Sequence, residues 1–235
     1  MKFRIVFAVT FALCVSSTLF AQPKSEHKLV QFQMAILKKG PAWDAMKVED
    51  RNSILQQHLK NVLALLDSGK LVIAGPFDDI RDLAGIFIFR TESADEAKAL
   101  VDTDPGVKAG LMVAEMHPWW SEDIFQKAVT DPFKMEPVYF GFLKKGPNRK
   151  DGDDQKPEIQ ELQKAHIANI VRLANMKKMV MAGPFGDDGE LRGIFVFRVA
   201  SMKEAQDLAG TDPMIKIDRL RIDLHPWHVP VGVIP

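Results

Sequence analysis

The sequence predicts an α+β protein: two tandem ferredoxin-like (βαββαβ) repeats, packed sheet to sheet as an intramolecular α+β barrel pseudo-dimer. Three observations predict it. One stretch of the chain is written twice. Each copy orders its apolar runs as strand, helix, strand, strand, helix, strand. The third strand of each copy is apolar on both faces.

The duplication is direct. Residues 58–119 and 166–227 align at a constant offset of 108 without a gap, and 27 of the 62 paired positions are identical. Upstream, Leu37-Lys38-Lys39-Gly40-Pro41 recurs as Leu143-Lys144-Lys145-Gly146-Pro147 at an offset of 106. A two-residue length difference therefore falls between Pro41 and His58, where a loop would absorb it. The reading divides the chain into residues 1–21 as a leader, 28–120 as the first repeat, 121–135 as a linker, 136–228 as the second repeat and 229–235 as a tail. Units of about 105 residues can each bury a core, so two copies suffice where short solenoid repeats would not.

Within each copy the elements follow from pattern. Phe32–Leu37 and Val138–Leu143 are apolar runs that end in Lys-Lys-Gly-Pro, a strand entering a loop. Ile54, His58, Asn61, Val62, Leu65 and Leu66 follow helical spacing, as do Leu162, His166, Asn169, Ile170 and Leu173. Leu71–Ala74 and Met179–Ala182 are short strands stopped by Gly-Pro-Phe. GIFIFR (Gly85–Arg90) and GIFVFR (Gly193–Arg198) are strands with no polar alternation, so both faces should be covered. Ser93 and Ser201 stand three residues before Glu96 and Glu204, the capping-box spacing. Asp104-Pro105 and Asp212-Pro213 open a further short turn or helix. Leu111–Glu115 and Leu220–Leu224 are the last strands, leading out to His-Pro-Trp. Two helices cover one face of such a sheet, and the second copy can bury the other.

Charge and composition narrow the function. Lys and Arg number 31 against 31 Asp and Glu, so no basic excess exists to neutralise phosphates, and nucleic acid is not an expected partner. Residues 1–21 carry Lys2 and Arg4, an apolar stretch from Ile5 to Val15 and a terminal Ala21, the pattern of a secretory signal peptide. The apolar stretch is too short for a membrane span, so a secreted or periplasmic protein with no membrane attachment after signal removal is expected. Cys14 is the single cysteine and falls in that leader, which excludes disulfides, zinc-thiolate sites and cysteine nucleophiles from the mature chain.

The ordered set His58, Ala74-Gly75-Pro76, GIFIFR, Thr103-Asp104-Pro105 and Glu115-Met116-His117-Pro118-Trp119, with its second edition at His166, Ala182-Gly183-Pro184, GIFVFR, Thr211-Asp212-Pro213 and Asp223-Leu224-His225-Pro226-Trp227, resembles the YCII-related family. Small members of that family form dimeric α+β barrels. The resemblance implies an active site centred on a histidine and an aspartate, which map by type and order to His58 with Asp104 and His166 with Asp212. Simple members are neither secreted nor duplicated, so one of the two sites could have lost activity.

These four residues are the candidate catalytic set. A histidine whose ring is held by an aspartate suits proton abstraction or transfer. The competing reading makes each histidine a partly buried ring satisfied by its surroundings, and each aspartate a plain helix cap. Arg90 and Arg198 could bind a substrate carboxylate or pair with a nearby acid. His117 and His225, each two residues beyond an acid on one strand face, are further candidates for substrate binding, weighed against a packing role at the barrel mouth. Two ligands per copy make a metal site unconvincing, and neither metal nor other cofactor is called for. The expected function is a pocket in each repeat for a small polar or cyclic molecule, with acid–base catalysis of the isomerase or lyase type. The alternative is a non-catalytic ligand-binding or structural module. The expected partner is a small molecule, with the internal pseudo-dimer open to further oligomerisation.

Overall fold

The structure is a computed structural model, and it describes residues 28–79, 82–150 and 152–235. The expected leader, with Cys14, lies outside the described residues.

The first half runs β1 (Leu29–Lys39), α1 (Val48–Asp67), β2 (Leu71–Pro76), β3 (Leu83–Phe89), α2 (Ala94–Val101), α3 (Pro105–Lys108) and β4 (Met112–Glu122). The second repeats it as β5 (Met135–Lys145), α4 (Pro157–Asn175), β6 (Met179–Pro184), β7 (Leu191–Phe197), α5 (Met202–Ala209), α6 (Pro213–Lys216) and β8 (Leu220–Pro230). Strand orders are β2-β3-β1-β4 and β6-β7-β5-β8, antiparallel throughout. Both halves are thus ferredoxin-like. Residues 123–134 join them.

Local chemistry accounts for the elements. Ser93 Oγ accepts from Glu96 N at 3.1 Å, and Ser201 Oγ from Glu204 N at 3.2 Å. The two glutamates reach back to the backbone N–H of Glu92 and Ala200, each at 3.1 Å. One first-turn donor of each helix, and one N–H just before each cap, are satisfied in this way. In β3, Ile86, Phe87, Ile88 and Phe89 are all buried, as are Ile194, Phe195, Val196 and Phe197 in β7. The phenylalanines face the helices and the branched residues face the shared interior, which is why no polar residue interrupts either run.

The final strands are longer than expected. The sequence reading ended them at Glu115 and Leu224, with His-Pro-Trp beyond. Instead β4 runs through it to Glu122, and β8 runs to Pro230. The Pro118 carbonyl accepts from Gly186 N of the other half at 2.7 Å, and the Pro226 carbonyl from Asp78 N at 3.1 Å. Backbone N and O of one residue point the same way in an antiparallel pair. Both prolines therefore aim their missing N–H away from β1 and β5, and no ladder bond is lost.

That extra length closes the barrel. The end of β4 lies along β6, and the end of β8 along β2. Trp119 and Trp227, both fully buried, cross the seams: their indole N–H groups donate to Gly183 O at 3.1 Å and Gly75 O at 2.9 Å. A Cβ at Gly75 would stand 1.8 Å from His228 O, and one at Gly183 1.9 Å from Trp120 O, so both crossings need glycine. Inside, Phe77 meets Phe140 at 5.7 Å, and Phe140 meets Trp227 at 5.2 Å, within one hydrophobic cluster drawn from both halves. The second half keeps a separate helix-covered core on its outer face, holding Leu173, Phe195, Phe197, Ala205 and Ala209, whereas the first half's helix-packed residues are continuous with the interior.

Candidate functional site

Helical phase brings the histidine and the aspartate of each copy together. His58 points inward on α1, one turn from Val62, while α3 begins at Asp104-Pro105 under the same helix. Proline at the first helical position fixes the turn, and Asp104 caps it. Asp104 Oδ1 accepts from Gly106 N at 2.8 Å and Val107 N at 3.3 Å; its two oxygens stand 2.9 and 2.8 Å from His58 Nδ1. In the second copy Asp212 Oδ1 accepts from Met214 N at 2.9 Å and Ile215 N at 3.4 Å, and Oδ2 meets His166 Nδ1 at 2.7 Å. Both aspartates are fully buried. Each cap is therefore also a partner for the ring.

The pairing assigns the tautomer. A carboxylate that accepts from two backbone N–H groups faces Nδ1 as an acceptor, so in the neutral ring Nδ1 is the nitrogen that carries the proton. Each ring lies nearly flat on a phenylalanine, His58 on Phe87 and His166 on Phe195, both at 5.8 Å. A further layer escaped sequence reasoning. Asn61 Nδ2 donates to Asp104 Oδ2 at 3.3 Å, and Thr103 Oγ1 stands 3.3 Å from Asn61 Oδ1. In the second copy, Asn169 Oδ1 accepts from Thr211 Oγ1 at 3.1 Å and from Arg172 at 2.7 Å. An asparagine three residues after the histidine, kept in both copies, was the signal.

The surroundings of the two rings differ. His166 lines a cavity of about 590 Å³ between α4 and the strands β6 and β7, lined also by Ser121 and Glu122 of the first half and Ile124 of the joining segment. A smaller cavity, about 300 Å³, lies against α2 and β4 and is lined by Val101, Met112 and Met116; His58 lines neither.

The other candidates sit at joints between parts of the chain, and none lines the larger cavity. His117 and His225 belong to the seams. His117 Nδ1 meets Asp187 at 2.7 Å and its Nε2 meets Glu115 at 2.9 Å; His225 Nδ1 meets Asp79 at 2.8 Å. These imidazoles pack on Phe185 and Phe77; both nitrogens of His117 are taken by acids, while His225 Nε2 is buried, 3.3 Å from Asp223 and without a hydrogen bond. The Lys38 ammonium, with His117 assisting, holds Glu115 below the usual carboxylate range. Burial pushes Asp187 up, but the hydrogen bonds from His117 and Gly189 N–H together outweigh it and leave the group lowered. Arg90 pairs with Asp123 at the start of the linker, and its guanidinium lies over Phe32. Arg198 binds Glu136 at 2.9 Å and the carbonyls of Ile234 and Pro235, which pins the tail. Both arginines thus take the acid-pairing alternative that the sequence left open.

A buried ion pair is peculiar to the second copy. Arg219 binds both oxygens of Asp153 at 2.6 and 2.7 Å and Asp154 at 2.6 Å, which raises the guanidinium's pKa and holds Asp153 low. The first copy has Leu111 there. Among the described residues no three His, Cys, Asp or Glu side chains converge as a metal site, and no helix is long and apolar enough to cross a membrane.

The family model for the YCII-related domain matches residues 32–119 and again 147–223. No curated protein matches the chain. Among solved structures, a chlorite dismutase mutant from Candidatus Nitrospira defluvii superposes with a TM-score of 0.56 at 10% identity, over 87% of this chain and 92% of that one. A proposed monooxygenase from Lactobacillus acidophilus NCFM gives 0.51 at 15% identity, over 84% and 93%. At these identities the likeness is one of fold: a dimeric α+β barrel.

Proposed function

The chain belongs to the YCII-related domain family, in two copies, and from that premise we propose a secreted or periplasmic protein that carries out acid–base chemistry of the isomerase or lyase type on a small molecule. His166 is the proton-transfer group and Asp212 orients it. His58 and Asp104 repeat the pair in the first half. One observation carries the reading: His166 borders a cavity of about 590 Å³, within the range of small-molecule sites, while its Nδ1 is engaged by a buried carboxylate at 2.7 Å. Nε2 is then the basic nitrogen, held in a fixed direction. As it takes a proton, the imidazolium gains a buried ion-pair partner, so Asp212 stabilises the charge that develops.

A thermal-shift screen of metabolites supplies the substrate, since a ligand of the native state raises its melting temperature. His166→Asn keeps polarity and removes the proton acceptor; kcat should fall about 10²–10⁴-fold, the usual share of a general base. His58→Asn in the same assay reports whether the first copy contributes. Unchanged turnover in both variants would refute acid–base catalysis and leave the cavity as a binding site only. For secretion, N-terminal sequencing of the exported protein should begin at Gln22; a chain that keeps Met1 and stays in the cytoplasm refutes it.

A further inference from the structure

The two copies differ in a concerted way around the larger cavity. At four equivalent positions the first copy has Leu55, Leu66, Trp43 and Ala84, and the second has Gln163, Ala174, Arg149 and Arg192; all four of the latter line the cavity. The loop equivalence is structural as well: Trp43 N donates to Gly40 O, and Arg149 N to Gly146 O. In the first half, Leu66 is buried in one cluster with Ala128 of the linker and Val233 and Ile234 of the tail, and Trp43 packs against it. Ala174 is exposed. Apolar residues stand in the first copy where smaller or polar ones line the cavity of the second.

The hollow is also polarised. Arg192 begins β7, and Lys144, at the end of β5, pairs with Leu191; Arg149 follows in the loop leaving β5. Both guanidinium groups therefore belong to one end. Arg149 pairs with Asp154, whose second oxygen meets an Arg219 already held by Asp153, and Arg192 has the fully exposed Asp188 at 3.6 Å, with Asp187 within electrostatic reach. Glu122 also lines the cavity, at the other end. Ser121 contacts Ala182 whereas Arg192 is bonded to Phe185, so some three to four strand residues, roughly 10–13 Å, separate acid from cations. Between them the walls are apolar: Ile167, Ile170, Val171, Met181, Ile194 and Phe195.

We infer that the second-half cavity takes an amphipathic carboxylate, its head held by Arg192 and Arg149 beside His166 and its apolar body laid between α4 and β6–β7, while the first half has lost this site. A planar carboxylate matches the guanidinium fork, and the apolar walls suit a hydrocarbon body. The inference rests on the proposed cavity as the ligand site, and it is tested without turnover.

The full chain is titrated calorimetrically with 4-phenylbutyrate and, as the uncharged match, 4-phenylbutanol. The acid should bind at least about tenfold more tightly, the scale of one charge-assisted hydrogen bond. Arg192→Ala, the residue of the first copy, should bring the acid to within about threefold of the alcohol. Ala174→Leu, again the first copy's residue, should abolish binding of both by filling the space. These affinities are read without turnover, so failure of the acid–base reading would not disturb them. Equal binding of acid and alcohol, full acid preference in Arg192→Ala, undiminished binding in Ala174→Leu, or no binding of the acid at millimolar concentration would each overturn it.

Discussion

Replacing Gly75 or Gly183 with alanine tests how the barrel closes. The new Cβ would lie 1.8 or 1.9 Å from a carbonyl oxygen of the opposing strand, whereas real Cβ contacts do not fall below 3.0 Å. The strands must then part by about 1.2 Å at the first seam and 1.1 Å at the second. A shift of that size carries the Trp227 Nε1 to Gly75 O bond from 2.9 Å beyond hydrogen-bonding distance, and it does the same to the Trp119 bond at 3.1 Å. Leaving a buried indole N–H unpaired costs about 1–3 kcal/mol. Overpacking strain adds about 1–3 kcal/mol. Each variant should therefore lose about 2–6 kcal/mol, or roughly 5–20 °C in Tm for a protein of this size. Thermal unfolding followed by tryptophan fluorescence reads both the loss and the exposure of the seam indole. Gly210→Ala is the control: its φ is −64° and its nearest neighbour is 3.3 Å away, so its stability should change by no more than about 1 kcal/mol. A Tm within about 1 °C of the parent for both seam variants would show that the halves are not held edge to edge as described.

Two further outcomes follow from buried charges. Arg219→Leu leaves Asp153 without its bidentate partner and should cost about 3–5 kcal/mol in denaturant unfolding, while Arg219→Leu with Asp153→Ala should recover part of it; equal losses would deny the coupling. Asp153 is lowered in the folded state by Arg219, so its contribution is whole above the unfolded value of about 3.9 and is lost as pH falls through the folded value. Parental stability should thus drop more steeply below about pH 4 than that of Arg219→Leu; parallel curves would refute the linkage. Asp212→Ala removes a helix cap, worth about 1 kcal/mol, and a ring partner, worth about 1–3 kcal/mol, so Tm should fall by roughly 4–12 °C, with an unchanged Tm counting against the pair.

Much of this architecture was legible because the chain repeats itself. Identities at His58 and His166, Asp104 and Asp212, and the two Gly-Pro-Phe turns marked elements that both halves need, and the uninterrupted apolar runs of β3 and β7 announced two covered faces. Comparison of copies is blind where they agree for structural reasons. His117 and His225 are kept because each seam needs one, and nothing local says that their partners are Asp187 and Asp79, far away in the chain. Proline in His-Pro-Trp looked like a strand exit because a strand edge cannot be assigned before the neighbouring strand is known. Arg219 gave no signal in the sequence, since the acids that bury it lie in a loop whose length differs between the copies. The cavity was written in the mismatches: Ala174 against Leu66 and Arg192 against Ala84 gain meaning only once α4 and β7 are known to face one space.

The crossed seams have an evolutionary corollary. In a homodimer every substitution is made twice, so a change that hollows one pocket hollows its twin and removes packing from both sides at once. Joining the halves through residues 123–134 fixes their stoichiometry and frees each to drift alone. One lobe can serve as ballast while its sibling carries the void that a ligand requires.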